Sequence, residues 1–507
     1  MKKTEFFRNL SYFSEEDYNR FLLFLMSPVF KKHSGLDIIF KVIKNRKHML
    51  DSGNPDALKK IIIKIAGITE GTLRKSLSHL NESIMDYFRF KALYSDELNS
   101  EIVLNDYLIK MNNLDSAKDV NANAERLLRE QYGSNEMYFY SAAGHCINDL
   151  NLLVCENNFS ETGVMEKQGT LAKETAVNLY LFTLQKLVFL FINLVSVRTD
   201  TGKSEFDDKP LNLDIFFSEN DITAGIAAKD DLYILFILLQ RAYELYSDLI
   251  NDYKFTLFND CYFVNLNLIP VNARKRFLNI LINYCVIRQR LHDPDRVYAE
   301  KELRLLYQFI ENEYYADSSS KYLNSMTYRN FITGCLRVNN HKIMKKFIDN
   351  HTDKLIPDDR DKLRNFGLAH YYFCIKNYSK SLKNINSIHN PGHFYKYDLR
   401  NLELKIYYEK RNFINIESIL HNYRNCVTED RILTSYDRNR MLLFLKYFGK
   451  YIILIDKPGK AGMNTELGML LNKIEKEKNF AMQKWLIAEI KQELIKHAYP
   501  VKKYGEG

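Results

Sequence analysis

Two segments in the C-terminal third of the chain repeat the same order of side chains, and this repetition constrains the fold more than any other feature. Residues 366–378 and 402–413 each contain apolar residues, a Tyr-Tyr pair, a basic residue, an asparagine and then an aromatic residue. Tyr372 and Tyr407 occupy the same place in the two segments and lie 35 residues apart. An interval of this length is typical of stacked pairs of helices.

The composition also favours helices. The 507 residues include only 19 glycines and 9 prolines, about half of the share that average usage gives. Sheet-rich chains need both residue types for their many tight turns. Aromatic residues make up 13% of the chain and supply large contact areas between packed helices. We therefore predict an all-α fold, in which helical hairpins stack into a solenoid that follows a helical N-terminal module.

Breaks in the helical pattern divide the chain into four predicted regions. The most loop-like stretch is residues 198–210, which we interpret as a hinge. A smaller break lies at Asp293-Pro294, where the aspartate can cap a helix and the proline can occupy its first turn. The predicted regions are a helical N-terminal module, a helical middle region, a helical region after the hinge and a repeat array, with bounds 1–95, 96–200, 201–293 and 294–507.

Five side chains in the first of the two segments and just after it follow a known order. They are an apolar residue followed by a small one, a tyrosine one turn later, an aromatic residue after a short turn, and a small residue early in the second helix: Leu368, Ala369, Tyr372, Tyr378 and Ser381. With these residues, the region 363–425 resembles tetratricopeptide repeats. The resemblance implies a right-handed solenoid of helical hairpins, whose concave face holds peptides or other proteins.

The sequence departs from the family pattern at the turns and in the second copy. Lys376 and Arg411 stand where the family commonly has glycine, and Leu404 and Ile416 stand where small residues belong. A weaker third copy precedes the other two, since Asn340 occupies the place of the later asparagine 37 residues upstream of it. The repeat is therefore degenerate.

The resemblance implies a non-catalytic scaffold that binds a protein or peptide in the concave face of the array. Polar residues on the first helix of each hairpin would line that face, and the candidates are His370, Lys405 and Glu409. The aromatic residues at helical spacing, Tyr372 and Tyr407 among them, are interpreted as core residues rather than as ligand contacts.

Residues 59–80 carry a second pattern, in which an apolar helix is followed by Gly67, a short turn and a new helix start. This segment resembles a helix-turn-helix. In DNA readers of that kind the start of the second helix reaches base edges, and basic residues meet phosphates. The residues that the resemblance places there are Thr69, Thr72, Arg74 and Lys75.

The positive charge around this segment favours nucleic-acid binding as the alternative function. Residues 31–92 contain thirteen Lys and Arg against six Asp and Glu, most of the excess behind the net charge of +9. The protein would then be a nucleic-acid-binding regulator, with the repeats as its sensor or oligomerisation part. The other interpretation is an ordinary capped helix that packs apolar residues inward, namely Leu73, Leu77, Leu80 and Ile84.

Linear motifs of catalysis are absent from the sequence, which has no Gly-rich phosphate loop, no Gly-x-Ser-x-Gly and no His-Glu-x-x-His. We therefore expect no enzyme activity, no cofactor and no metal. The seven cysteines form no Cys-x-x-Cys pair, so we expect reduced thiols and a cytoplasmic location. The most apolar run, residues 187–197, is about half the length of a membrane span, and we expect no membrane association.

Overall fold

A computed structural model describes residues 5–10, 12–30, 33–46, 49, 55–130, 137–156, 164–201, 211–227, 229–291, 296–316, 321–389, 393–456, 462–477 and 480–498. Within these residues the secondary structure is helical, apart from one isolated bridge between Leu323 and Leu355. The predicted all-α fold is confirmed. The predicted breaks at residues 202–210 and 293–294 lie outside the described residues, while residues 198–201 are the end of a helix.

The chain forms two compact units, residues 1–184 with 219–230 and residues 185–218 with 231–507. The four predicted regions and their boundaries stay predictions. The helices up to residue 227 are α1 (Glu5–Leu10), α2 (Glu15–Met26), α3 (Leu36–Asn45), α4 (Pro55–Ala66), α5 (Glu70–Ser95), α6 (Glu97–Lys110), α7 (Leu114–Glu130), α8 (Tyr138–Cys155), α9 (Val164–Thr201) and α10 (Asp221–Ala227).

The remaining helices belong to the second unit, to which α9 contributes its last part. They are α11 (Asp230–Ser247), α12 (Asp252–Val264), α13 (Val271–Leu291), α14 (Val297–Glu311), α15 (Ser325–Arg337), α16 (His341–His351), α17 (Pro357–Cys374), α18 (Tyr378–Asn386), α19 (His393–Glu409), α20 (Phe413–Glu429), α21 (Ser435–Ile455), α22 (Met463–Lys476) and α23 (Gln483–Ala498). Short 3₁₀ turns lie at Asp214–Phe217, Leu266–Leu268 and Thr352–Lys354.

Three hairpins of the second unit, α15–α16, α17–α18 and α19–α20, close with the same backbone turn. The residue two positions after the first helix is left-handed in each, with φ of 55° at Asn339, 59° at Lys376 and 51° at Arg411. The next amide donates to a carbonyl five residues earlier, at N···O distances of 2.9, 2.8 and 3.0 Å in chain order. This is a Schellman turn, which satisfies the last free carbonyls of a helix.

The residue after each left-handed position is an asparagine that starts the second helix of the hairpin. The side-chain oxygens of Asn340, Asn377 and Asn412 accept hydrogen bonds from the backbone N–H three residues on, at 3.1, 3.1 and 3.2 Å. Asparagine is among the best N-caps because its side chain satisfies an otherwise free helix donor. The interval predicted from the sequence is therefore matched in the structure, where each of the three hairpins has the same turn and the same asparagine cap.

A further copy of this turn, with its asparagine cap, lies in the first unit, outside the predicted repeat. Asn112 between α6 and α7 has φ of 58°. The amide of Asn113 donates to the carbonyl of Leu108 at 2.9 Å, and the Asn113 side chain accepts a hydrogen bond from the Ser116 amide at 3.4 Å. The turn is thus a local property of these sequences and does not depend on the C-terminal array.

Small residues let α17 and α18 approach each other closely. Ala369 and Ser381 are both fully buried, and the Ser381 hydroxyl donates to the Ala369 carbonyl at 2.7 Å. In the next hairpin the equivalent places hold Leu404 and Ile416, which are also fully buried. Ser381, a small residue of the family pattern, therefore lies at the contact between α17 and α18.

Replacing Lys376 with glycine is expected to stabilise the second unit by about 0.5–1 kcal/mol. A left-handed conformation is strained for a residue that carries a Cβ, whereas glycine adopts it freely. The Lys376 side chain is exposed, so little packing is lost. Urea unfolding measures the gain, and Lys376→Ala is the matched control because it shortens the side chain but keeps the Cβ. An equal gain in both variants would show that turn strain is not the cause.

Helix α9 extends well beyond residues 187–197, the most apolar run of the sequence. Its segment Val164–Thr199 has a window of mean hydropathy 1.7, of which 28% is buried. By length and composition it is the one helix of the described residues that could cross a membrane. Core helices of globular proteins can share this length and composition, and the absence of membrane association stays a prediction.

Candidate functional site

A cavity of about 680 Å³ opens between α14 and the hairpin α15–α16, and it lies wholly within the second unit. Pockets that hold small molecules or peptide side chains fall in the range of roughly 300–1,000 Å³. We call this cavity the α14–α16 groove. Its lining residues come from these helices and their turn: Glu300, Leu303, Arg304, Tyr307, Glu311, Phe331, Val338, Asn340, Ile343, Lys346, Phe347, Asn350 and His351.

Aromatic rings form the floor of the α14–α16 groove. The rings of Phe331 and Phe347 stack with centroids 4.0 Å apart, and Phe347 stacks on His351 at 4.8 Å. Tyr307 lies at the open end, 6.3 Å from Phe331, and is 41% exposed. Tyr307 and Ile343, which is 39% exposed, present apolar surface to solvent in the concave site, and the buried rings of Phe331 and Phe347 lie beneath them.

Charged side chains line the rim of the groove. Glu300, Arg304 and Lys346 are all exposed and form no ion pair within the part of the chain that the structure describes. Two signs of charge therefore face the groove opening without internal partners. Such groups can pair with a ligand without first giving up a salt bridge.

His351 closes the inner end of the groove. Its Nε2 lies 3.3 Å from Glu311 Oε1. Burial lowers the pKa of His351, and the charge of Lys354 adds to this effect, while Glu311 opposes it. The imidazole is therefore neutral at physiological pH, and the inner end of the groove carries an aromatic surface instead of a positive charge.

Two of the three residues predicted to line a concave face lie between packed helices. His370 on α17 is 6% exposed, and burial, aided by the nearby charges of Lys405 and Arg329, lowers the pKa of His370 to about 3. Lys405 on α19 extends its Nζ to 5.2 Å from the Trp485 ring centroid. Burial also lowers the pKa of Lys405.

The third candidate, Glu409, is exposed at the end of α19, where it accepts a hydrogen bond from the Tyr378 hydroxyl at 3.4 Å. The structure thus brings His370 and Lys405 together and leaves Glu409 apart on the surface. None of the three lines the α14–α16 groove. Their contact with a partner stays a prediction.

The four residues of the helix-turn-helix resemblance lie together at the start of α5. Gly67 takes a left-handed φ of 64° between α4 and α5, and Thr69 caps α5 by accepting a hydrogen bond from the Thr72 amide at 3.2 Å. Thr69, Thr72, Arg74 and Lys75 are all exposed. Arg74 pairs with Glu70 at 2.9 Å, a contact that water largely screens.

The inward face of α5 agrees with the interpretation as a capped core helix. Leu73, Leu77, Leu80 and Ile84 are buried in the core of the N-terminal helices. The helix-turn-helix arrangement needs the same inward face, because its second helix must be held by the rest of the module. Burial of these four apolar residues therefore fits both interpretations.

Comparisons with protein-family models, with curated proteins and with solved structures found no match to this chain.

Proposed function

We propose that the protein is a non-catalytic scaffold that binds a peptide segment of a partner protein in the α14–α16 groove. The observation that carries the proposal is the combination of exposed apolar side chains in a concave site, Tyr307 and Ile343, with unpaired charges at its rim. Apolar anchors buried in a pocket supply most of the affinity in such recognition, and rim charges set orientation and partner choice.

The proposed architecture is a right-handed, tetratricopeptide-like array of hairpins. Its support is the Schellman turn and asparagine cap that recur in α15–α16, α17–α18 and α19–α20. A further support is the link between alternate first helices, since Arg329 on α15 binds Asp398 on α19 through two hydrogen bonds of 2.5 and 3.0 Å. Stacked hairpins of this kind create extended binding surfaces.

Ile343→Glu is expected to weaken peptide binding strongly while leaving the fold intact. A random peptide library is selected on the full-length protein, and the affinity of enriched peptides is measured by fluorescence anisotropy. Ile343 is already 39% exposed, so a carboxylate there is solvated in the free protein. In the complex it would be desolvated against apolar groups of the ligand, and we expect about a 30-fold loss of affinity.

The matched control is Ile375→Glu, at a position 42% exposed that does not line the groove. This variant makes the same change in charge and hydropathy as Ile343→Glu, but outside the groove. It should therefore bind the selected peptides within about twofold of the wild-type affinity. If Ile343→Glu binds as tightly as the wild type, or if no peptide is enriched, the groove is not a peptide site.

The second candidate function is nucleic-acid binding through α5. It is favoured by the shared exposure of Thr69, Thr72, Arg74 and Lys75 at one helix start. Reversing both basic charges in the full-length chain is expected to weaken duplex DNA binding at least tenfold and to reduce the slope of log affinity against log salt by about 2. Electrophoretic mobility shifts over a salt series measure both quantities.

The control for this experiment reverses Lys167 and Lys173, two exposed lysines of α9, and so changes the net charge by the same amount. It should retain the wild-type affinity and salt slope. Equal weakening in both double variants would indicate attraction by total charge alone, and no shift of duplex DNA at low salt would remove this candidate.

A further inference from the structure

Three potential metal ligands from separate parts of the N-terminal sequence meet in the first unit. His33 lies on the turn before α3, while His79 and Glu82 lie one helical turn apart on α5. Each offers one ligand atom, and the three atoms lie within 4.8 Å of one another. The two histidines are 46 residues apart in the sequence, so no linear motif signals their meeting.

The two imidazole rings are already in contact. Their centroids are 3.7 Å apart, with 29° between the ring planes. His79 Nδ1 lies 3.5 Å from Glu82 Oε2, is shielded from solvent and has no hydrogen-bond partner among the described residues. A buried polar nitrogen without a partner is costly, and its position beside a carboxylate and a second imidazole is one that a cation would satisfy.

We propose that His33, His79 and Glu82 form a binding site for a divalent cation of the zinc class. Two imidazole nitrogens and one carboxylate oxygen suit Zn²⁺, whereas Mg²⁺ and Ca²⁺ prefer ligand sets made only of oxygen. Three protein ligands leave a fourth position open to water or to a ligand from another molecule.

The geometry requires only a small movement of the side chains. Ligand atoms around tetrahedral Zn²⁺ are roughly 3.3 Å apart, given bonds of about 2.0–2.1 Å. His33 is exposed, and rotation of its ring out of the stack directs a ring nitrogen towards His79 and Glu82. The cation then links the turn before α3 to α5, which are separated by α3 and α4 in the chain.

The test is a Zn²⁺ titration of the full-length protein in competition with a chromogenic chelator. His33→Ala and Glu82→Gln change exposed side chains, so both variants are expected to fold, and circular dichroism checks this. His421→Ala is the matched control, since it removes an exposed histidine of the second unit. We expect one equivalent bound by the wild type and by the control, with affinity reduced at least tenfold in the other two variants.

Two further readouts separate this site from the free cysteines, of which Cys155 is exposed. Co²⁺ bound at the site should show visible d–d bands without thiolate charge-transfer absorption. Affinity should fall on acidification, because protons compete with the metal for its ligands. Equal affinity in all four proteins, or a thiolate spectrum that His33→Ala leaves unchanged, would overturn the proposal.

Discussion

Replacing Asp17 with alanine is expected to lower the free energy of unfolding of the first unit by about 3 kcal/mol. The carboxylate is 4% exposed and accepts hydrogen bonds from the Tyr87 hydroxyl at 2.9 Å and from Lys91 Nζ at 2.6 Å. Ser14 donates to it through the backbone N–H at 3.0 Å and the hydroxyl at 2.7 Å. Without the carboxylate, the buried Tyr87 hydroxyl and the backbone N–H of Ser14 both lose an acceptor.

Thermal or urea unfolding followed by circular dichroism measures this effect. Glu16→Ala is the matched control, because Glu16 is the preceding residue on α2 and forms an exposed pair with Arg20 at 2.6 Å. Exposed pairs of this kind contribute little, so the control should change stability by less than about 0.5 kcal/mol. A similar loss in both variants would show that the buried network of Asp17 is not what stabilises the N-terminal helices.

The contribution of Asp17 should also depend on pH. Burial alone would raise the pKa of Asp17, but the hydrogen bonds from Lys91, Ser14 and Tyr87 outweigh it and hold the pKa below its ordinary value. A carboxyl with a lowered folded-state pKa stabilises the fold fully above the unfolded value of about 3.9 and loses that effect as the pH falls below it. The stability difference between wild type and Asp17→Ala should therefore shrink below about pH 4.

Gly367→Val is expected to destabilise the second unit by about 3 kcal/mol, the largest effect in the hairpin array. A Cβ at residue 367 would lie 2.9 Å from Ile348 Cγ1 and 3.3 Å from the Tyr328 hydroxyl oxygen. Both neighbours are fully buried and belong to the preceding hairpin. The added side chain can be accommodated only by moving α17 away from that hairpin.

Gly468→Val serves as the control for the valine substitution, because a Cβ at Gly468 in α22 would have no heavy atom within 4 Å. That variant should be neutral or slightly stabilising, since valine has a better helix propensity than glycine. Shortening Ile348 to alanine should cost less in the Gly367→Val chain than in the wild type. Additive costs of the two substitutions would contradict a direct contact between α17 and α16.

The sequence contained the information for the hairpins because their determinants are local. The asparagine caps and the residues before them recur at intervals of 37 and 35 residues, and the structure places a turn at each of them. The similar turn at Asn112-Asn113 was missed because it lacks glycine and proline, the usual signals of a break. Its backbone nevertheless adopts the same left-handed conformation without them.

The α14–α16 groove was less accessible to prediction, although one signal was present. Ile343 stands three residues after its cap, where the two later hairpins have Lys380 and Asn415. An exposed isoleucine at such a position is informative only beside other exposed apolar groups, here Tyr307 across the groove. The aromatic floor could not be predicted in this way, because it joins residues of α14 to those of the next hairpin through tertiary packing.

For His370 and Lys405, the sequence pattern predicted a groove position, but the structure places them between helices or against a ring. They occupy equivalent places in two successive copies of the repeat, and polarity alone predicted that they face a groove. In the structure, the side chain of His370 is buried and that of Lys405 lies against Trp485. Which face of a helix meets its neighbour is decided by how the hairpins stack, and the period alone does not specify this.

Hydrogen–deuterium exchange of the full-length protein, with and without a saturating selected peptide, tests the groove most directly. We predict slower exchange on peptide binding in residues 297–311 and 338–351, and unchanged exchange in residues 69–80. Ile343→Glu should remove the slowing. Slower exchange confined to other segments, such as residues 393–429, would contradict binding in the α14–α16 groove.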